Sequence, residues 1–193
     1  MITHIQGRRV EKSPTSVVID CNGVGYEIHI SLHTFSLLPD SENIKLFTSL
    51  LVREDSHTLY GFVQPIEREM FRLLLSVSGI GASTARTMLS SLTPDEIKEA
   101  IARGDVNTIQ SVKGIGNKTA QRVILDLKDK VIKLFAFSDV QVTLSNTNKE
   151  EALSALETLG FNRKQTEKVC DAIYKENPDA SVETIIKLAL KKL

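Results

Sequence analysis

Ten residues, Ser76-Val77-Ser78-Gly79-Ile80-Gly81-Ala82-Ser83-Thr84-Ala85, return 35 positions later as Ser111-Val112-Lys113-Gly114-Ile115-Gly116-Asn117-Lys118-Thr119-Ala120, seven of the ten identical. Each copy lies between two segments of helical period, so each predicts a helix, a tight Gly-Ile-Gly hairpin and a second helix. The glycines permit backbone angles that other residues avoid and remove side chains that would hold an approaching group away. The isoleucine between them is placed to tuck into the helix pair and fix the loop. Amides of the loop and of the second helix's first turn then point outward together, which suits an anion through hydrogen bonds and the positive end of the helix dipole. Thr84 and Thr119 stand where a hydroxyl adds a bond or caps the helix, and Lys118 and Arg122 add formal charge to the second copy. One Gly-Ile-Gly is readily just a turn. Two with matching flanks predict two phosphate grips following one nucleic-acid backbone, without reading bases.

The segments on either side differ in period. Residues 1–63 read as all-β: Val17–Cys21 and Tyr26–Ile30 flank the turn signal Asn22-Gly23-Val24-Gly25, and Ile44–Val52 returns as Thr58–Val63 through a charged tip, Arg53-Glu54-Asp55-Ser56-His57. Four to six short strands in that length predict a small OB-like barrel. Residues 64–137 read as a helical domain carrying the two hairpins. Within it Thr93-Pro94-Asp95-Glu96 has the form of a capping box, and helices are expected at about 106–111 and 117–135. Residues 138–148 read as a flexible linker. Residues 149–193 read as three short helices: Leu153, Leu156 and Leu159 on the first, Gly160 ending it, Asn162 to Asn177 bounding the second, and Ser181 capping a third that buries Val182, Ile185, Ile186 and Leu190. The fold class is therefore multidomain α+β: an N-terminal OB-like β-barrel, a middle domain with tandem helix-hairpin-helix motifs, and a small C-terminal three-helix, UBA-like domain.

Charge sets a limit on how this chain holds an anion. Lys plus Arg and Asp plus Glu are both 24, a net of zero. Residues 1–63 carry 5 basic and 7 acidic groups, and residues 64–130 carry 10 and 8, so only the hairpin segment is basic, and weakly. Phosphate contact must come from backbone amides more than from bulk charge. No apolar run approaches a membrane span, and the N-terminal residues show no signal-peptide pattern, so a cytoplasmic location is expected. Cys21 and Cys170 read as two buried free thiols. His4, His29, His33 and His57 have no ligand or triad spacing, and no Gly-Lys-Ser/Thr phosphate loop occurs. No metal, no cofactor, no ATP hydrolysis and no intrinsic catalysis are expected.

The combination resembles the RuvA family, the junction-recognition subunits of the bacterial Holliday-junction branch-migration complex. The matching stretches are Gly23-Val24-Gly25-Tyr26-Glu27, Val52-Arg53-Glu54-Asp55 with Leu59-Tyr60-Gly61-Phe62, Lys113–Ala120, and Leu156-Glu157-Thr158-Leu159-Gly160-Phe161. The resemblance implies a homotetramer with fourfold symmetry on four-way junction DNA, and leaves open an octamer of two tetramers. It implies that Glu54 and Asp55 form an acidic pin near the junction centre, with Arg53 a DNA contact beside them. Carboxylates clustered near an axis would repel continuous duplex and be tolerated only where strands diverge. DNA contacts are expected from Gly79, Ile80, Gly81, Ser83, Thr84, Gly114, Ile115, Gly116, Asn117, Lys118, Thr119 and Arg122. The C-terminal domain is expected to dock on the hexameric ATPase RuvB through Leu156, Leu159, Gly160 and Phe161, and the resolvase RuvC is a further implied partner. The chain departs from the family at Ala82-Ser83, where Pro-Lys is frequent, and at Asn117, where lysine is common; both departures remove positive charge.

Two other readings compete. The second hairpin also resembles that of helix-hairpin-helix glycosylases with lyase activity, in which the residue matching Lys118 is the nucleophile; Asp126 and Asp129 are partners by proximity alone. Trapping of abasic DNA with borohydride discriminates it. A generic single-strand binder built on the barrel needs stacking aromatics, whereas the chain has 7 Phe, 3 Tyr and no Trp.

Overall fold

In the computed structural model, which describes residues 1–139, 144–177 and 180–193, alternation of apolar residues produces five strands. They are β1 (His4–Lys12), β2 (Ser16–Cys21), β3 (Val24–Ile30), β4 (Asn43–Val52) and β5 (His57–Phe62). They close into a barrel in the order β1-β2-β3-β5-β4, with β3 and β5 parallel and the other pairs antiparallel. Val17, Ile19, Ile28, Ile30, Ile44 and Leu46 point inward and are almost fully buried, as a period of two requires. The Asn22-Gly23 turn, both residues at positive φ, joins β2 to β3. The all-β reading misses one element: Ser31 caps a short helix, α1 (Leu32–Leu37), accepting from the Thr34 amide, between β3 and β4. Cys21 is only half-buried, its thiol donating to the Gln6 carbonyl, whereas Cys170 is buried.

Five helices follow: α2 (Pro65–Leu75), α3 (Ala82–Ser91), α4 (Pro94–Arg103), α5 (Val106–Gln110) and α6 (Asn117–Asp139). The Thr93–Glu96 capping box forms in full at the start of α4. The helical core centres on Met70, Phe71, Leu74, Met88, Ile97 and Val123. It also takes in Phe62 of β5, whose ring lies 5.1 Å from that of Phe71; Tyr60 lies 4.9 Å from Phe71 on the same side. Residues 1–137, the barrel together with the helical domain, accordingly form one compact unit.

The second unit, from Ser138 to Leu193, holds α7 (Leu144–Thr158), α8 (Arg163–Glu176) and α9 (Val182–Lys192) around Leu153, Leu156, Cys170, Ile173, Ile185 and Ala189. Ser181 caps α9 as expected. Leu190 is not in the core: it is 45% exposed, and Ala189 occupies the inward position. The linker reading of 138–148 is too long. Ser138 and Asp139 end α6 and residues 144–148 begin α7, while 140–143 lie outside the described residues. Polar composition alone misassigned these ends, because Ser, Thr and Asn are tolerated at helix termini.

Candidate nucleic-acid interface

The two hairpins repeat atom for atom in their internal bonding. In the first, the Val77 amide donates to the Leu74 carbonyl, the Ile80 amide to the Val77 carbonyl (3.1 Å), and the Ala85 amide to the Gly81 carbonyl (2.9 Å). In the second, Val112 donates to Ile109, Ile115 to Val112 (3.1 Å) and Ala120 to Gly116 (2.9 Å). Ser76 and Ser111 each turn a hydroxyl back onto the carbonyl three residues earlier, at 2.7 Å. Gly79 and Gly114 adopt φ of 94° and 92°, the left-handed region that closes the turn. Ile80 and Ile115 are buried, 6% and 5% exposed, and pin the loops to the core. Their expected DNA contact is corrected by this geometry: the side chains face inward and the amides are already bonded within the loop.

Gly81 and Gly116 carry a different message. Neither has positive φ, and a Cβ built on either would meet nothing within 4 Å. Gly81 is the N-cap of α3 with φ −88° and ψ 170°. Ser31, Thr93 and Ser181 cap their own helices from the same backbone region, with φ between −81° and −66° and ψ between 157° and 164°. The fold would therefore accept a capping hydroxyl at 81, yet no side chain caps this helix. Because Ala85 and Ala120 make the first helical bonds, the amides of residues 82–84 and 117–119 have no carbonyl of their own helix to meet. Neither first turn holds an acidic residue. Uncapped amides, a positive dipole end and a cleared approach are the chemistry that an anion would use.

Among the side chains, Ser83, Asn117, Lys118 and Arg122 are exposed and Thr84 and Thr119 half-buried, all clustered at the two hairpins. Lys113, exposed in the second loop, adds a cation that the first loop lacks at Ser78. Asn117 Nδ2 donates to Gln110 Oε1 at 3.3 Å. Arg122 has a role that the repeat does not reveal: its Nη1 donates to the Ser78 carbonyl at 3.1 Å, tying the second hairpin's helix to the first hairpin's loop. The expected DNA role of Arg122 is thus shared with a structural one.

At the β4–β5 turn, Arg53, Glu54, Asp55 and Ser56 are exposed, and the Arg53 amide closes the turn on the Ser56 carbonyl at 2.8 Å. Asp55 accepts from the Ser56 hydroxyl at 3.2 Å. The carboxylates therefore sit at the tip of the ladder that pairs Val52 with His57. In the second unit, Leu156 is fully buried among α7–α9, which removes it from any docking surface; its spacing with Leu153 is simply the inner face of α7. Leu159 is 61% exposed and Phe161 36%, either side of Gly160, which ends the helix at φ 95°.

Family models match three stretches: the RuvA N terminal domain over residues 1–61, the SAM-like helix-hairpin-helix tandem over 71–129 and the RuvA C-terminal domain over 147–193. Among similar proteins are three named Holliday junction branch migration complex subunit RuvA. Those from Christiangramia forsetii and Flavobacterium psychrophilum are 67% and 65% identical over the whole of both chains. That from Cytophaga hutchinsonii is 54% identical over 99% of each. With a barrel, tandem hairpins and a three-helix unit matched in sequence and in order, this chain belongs to the RuvA family.

Proposed function

We propose that this chain is a non-catalytic subunit that binds four-way DNA junctions through sequence-independent backbone contacts and brings the RuvB ATPase to them for branch migration in recombination and repair. The observation that carries the reading is the pair of matched hairpins whose first-turn amides are uncapped beside glycines that the fold itself does not need. Amides at 82–84 and 117–119, assisted by Lys118, Arg122 and the nearby hydroxyls, hold successive phosphates along one backbone of an arm. The tip at Arg53, Glu54 and Asp55 turns repulsion into shape selection, and it does so in a homotetramer that gathers the tips about one axis. Leu159 and Phe161 supply an apolar surface for the motor. The names of the relatives are in keeping with this role, and RuvC as a further partner and the cytoplasm as location belong to the same reading.

Gly81→Ser with Gly116→Ser tests the grip directly. A serine at an N-cap accepts with its hydroxyl oxygen from the amides that a phosphate would use, so the fold should keep or gain thermal stability. Junction affinity should fall roughly tenfold or more, the loss of about one charge-assisted hydrogen bond per site. Undiminished binding in an equilibrium titration would rule out amide gripping.

A further inference from the structure

Among the buried groups that DNA contact does not use, Glu67 stands out. It lies in the first turn of α2, is 0% exposed, and its two oxygens accept from the hydroxyls of Ser31 and Thr34, the latter at 2.6 Å. Both hydroxyls are themselves buried on α1, which belongs to the barrel. The next residue, Arg68, donates to the Thr3 carbonyl at 3.0 Å and sits 5.4 Å from the ring of Phe47 on β4. One helical turn on, Phe71 packs on Tyr60 and Phe62 of β5, and Phe47 is the ladder partner of Phe62.

These contacts give α2 a particular mechanical position. Its first turn is fixed to α1 through Glu67 and to β4 through Arg68, and Phe71 one turn on meets β5. Its C-terminal end runs directly into the first hairpin at Ser76, so α2 is tied both to α1 and to the strand pair that carries Glu54 and Asp55. The rotation of α2 on the barrel therefore sets where the acidic tip stands relative to DNA held in the hairpins. Apolar packing is non-directional and would allow α2 to slide or turn. A buried carboxylate is costly to desolvate and stabilises only when its hydrogen bonds are met in one geometry, which makes it a poor glue and a good register pin.

We propose that Glu67 is a positioning residue for DNA shape selection, touching no DNA and acting through the angle at which α2 presents the hairpins to the acidic tip. The inference rests on the junction-binding reading above. It is tested in the full chain with Glu67→Ala, Glu67→Gln and Thr34→Val, each titrated against a four-way junction and a linear duplex of equal length, with melting followed by circular dichroism. Glu67→Ala should lower the ratio of junction to duplex affinity about tenfold while duplex affinity stays within about twofold, the scale of one lost charged hydrogen bond. Glu67→Gln, which keeps an acceptor for one hydroxyl, should restore most of the ratio. Thr34→Val should shift it in the same direction by less, and it decides the matter alone if Glu67→Ala does not fold. An unchanged ratio in folded variants overturns the inference, as does an equal loss on both DNAs that simply follows the melting temperature. A wild-type chain without junction preference overturns the reading beneath it, and this inference with it.

Discussion

Burial pushes the Glu67 carboxyl above its ordinary value of 4.5, against the opposing pull of the Ser31 and Thr34 hydroxyls and of nearby His33. A group whose folded-state pKa is raised contributes stability that is complete below its unfolded value and is lost as pH rises through the folded one. Glu96 and Asp105 run the other way. Hydrogen bonds from the Thr93 amide and hydroxyl hold Glu96 low, and those from the Thr108 hydroxyl and amide hold Asp105 low. Their contributions are present above the ordinary carboxylate range and disappear as pH falls through the lowered values. Thermal melts should therefore show the wild type losing ground to Glu67→Gln as pH rises from 4.5 towards neutrality. Parallel pH profiles for the two chains would contradict the assignment of that slope to Glu67. The residues at 67 and 68 were invisible as a joint in the sequence, where they read as one turn of an ordinary helix. Nothing local in the sequence says that a carboxylate 33 positions beyond Thr34 meets the capping residues of α1. The tie from Arg122 to Ser78 was hidden for the same reason, since it joins residues 44 apart.

At the scale of elements, legibility followed periodicity and local chemistry. The hairpins, the Thr93 capping box, the Asn22-Gly23 turn and the Ser181 cap are each specified by a few adjacent residues, and each formed as read. What escaped was set by tertiary packing. Strand β1 runs through Gly7 and charged Arg8 and Arg9, too polar to announce itself, and is held by pairing to β2 and β4. Leu156 carried a docking role from the motif around it, yet its position on α7 faces inward. The proposed role of the acidic tip is selection rather than grip. Glu54→Gln with Asp55→Asn should raise affinity for linear duplex several-fold while changing junction affinity less, because the lost charges oppose continuous duplex more than an open crossover. Equal affinities before and after the change, compared at one salt concentration, would leave the tip without a selective role.

Over the whole molecule, the zero net charge and the paired hairpins fit together. In the proposed reading, a chain with 24 basic and 24 acidic residues relies on oriented amides, which add no formal charge, to hold phosphate, with Lys113 and Lys118 exposed beside the second hairpin. The division at 137/138 separates these groups from the C-terminal helices. Removal of residues 138–193 should consequently leave junction binding within about twofold, since no proposed phosphate contact is lost, but abolish RuvB-driven branch migration. Migration that survives the truncation would place motor docking in the first unit. In the proposed reading the hairpins grip backbone while the tip selects shape. An equilibrium titration of the full chain against a four-way junction and a linear duplex of equal length, with molar mass measured by light scattering, checks both at once. Clear preference for the junction and a mass near four chains are expected; equal affinity for the two DNAs, or a monomer on the junction, would rule the reading out.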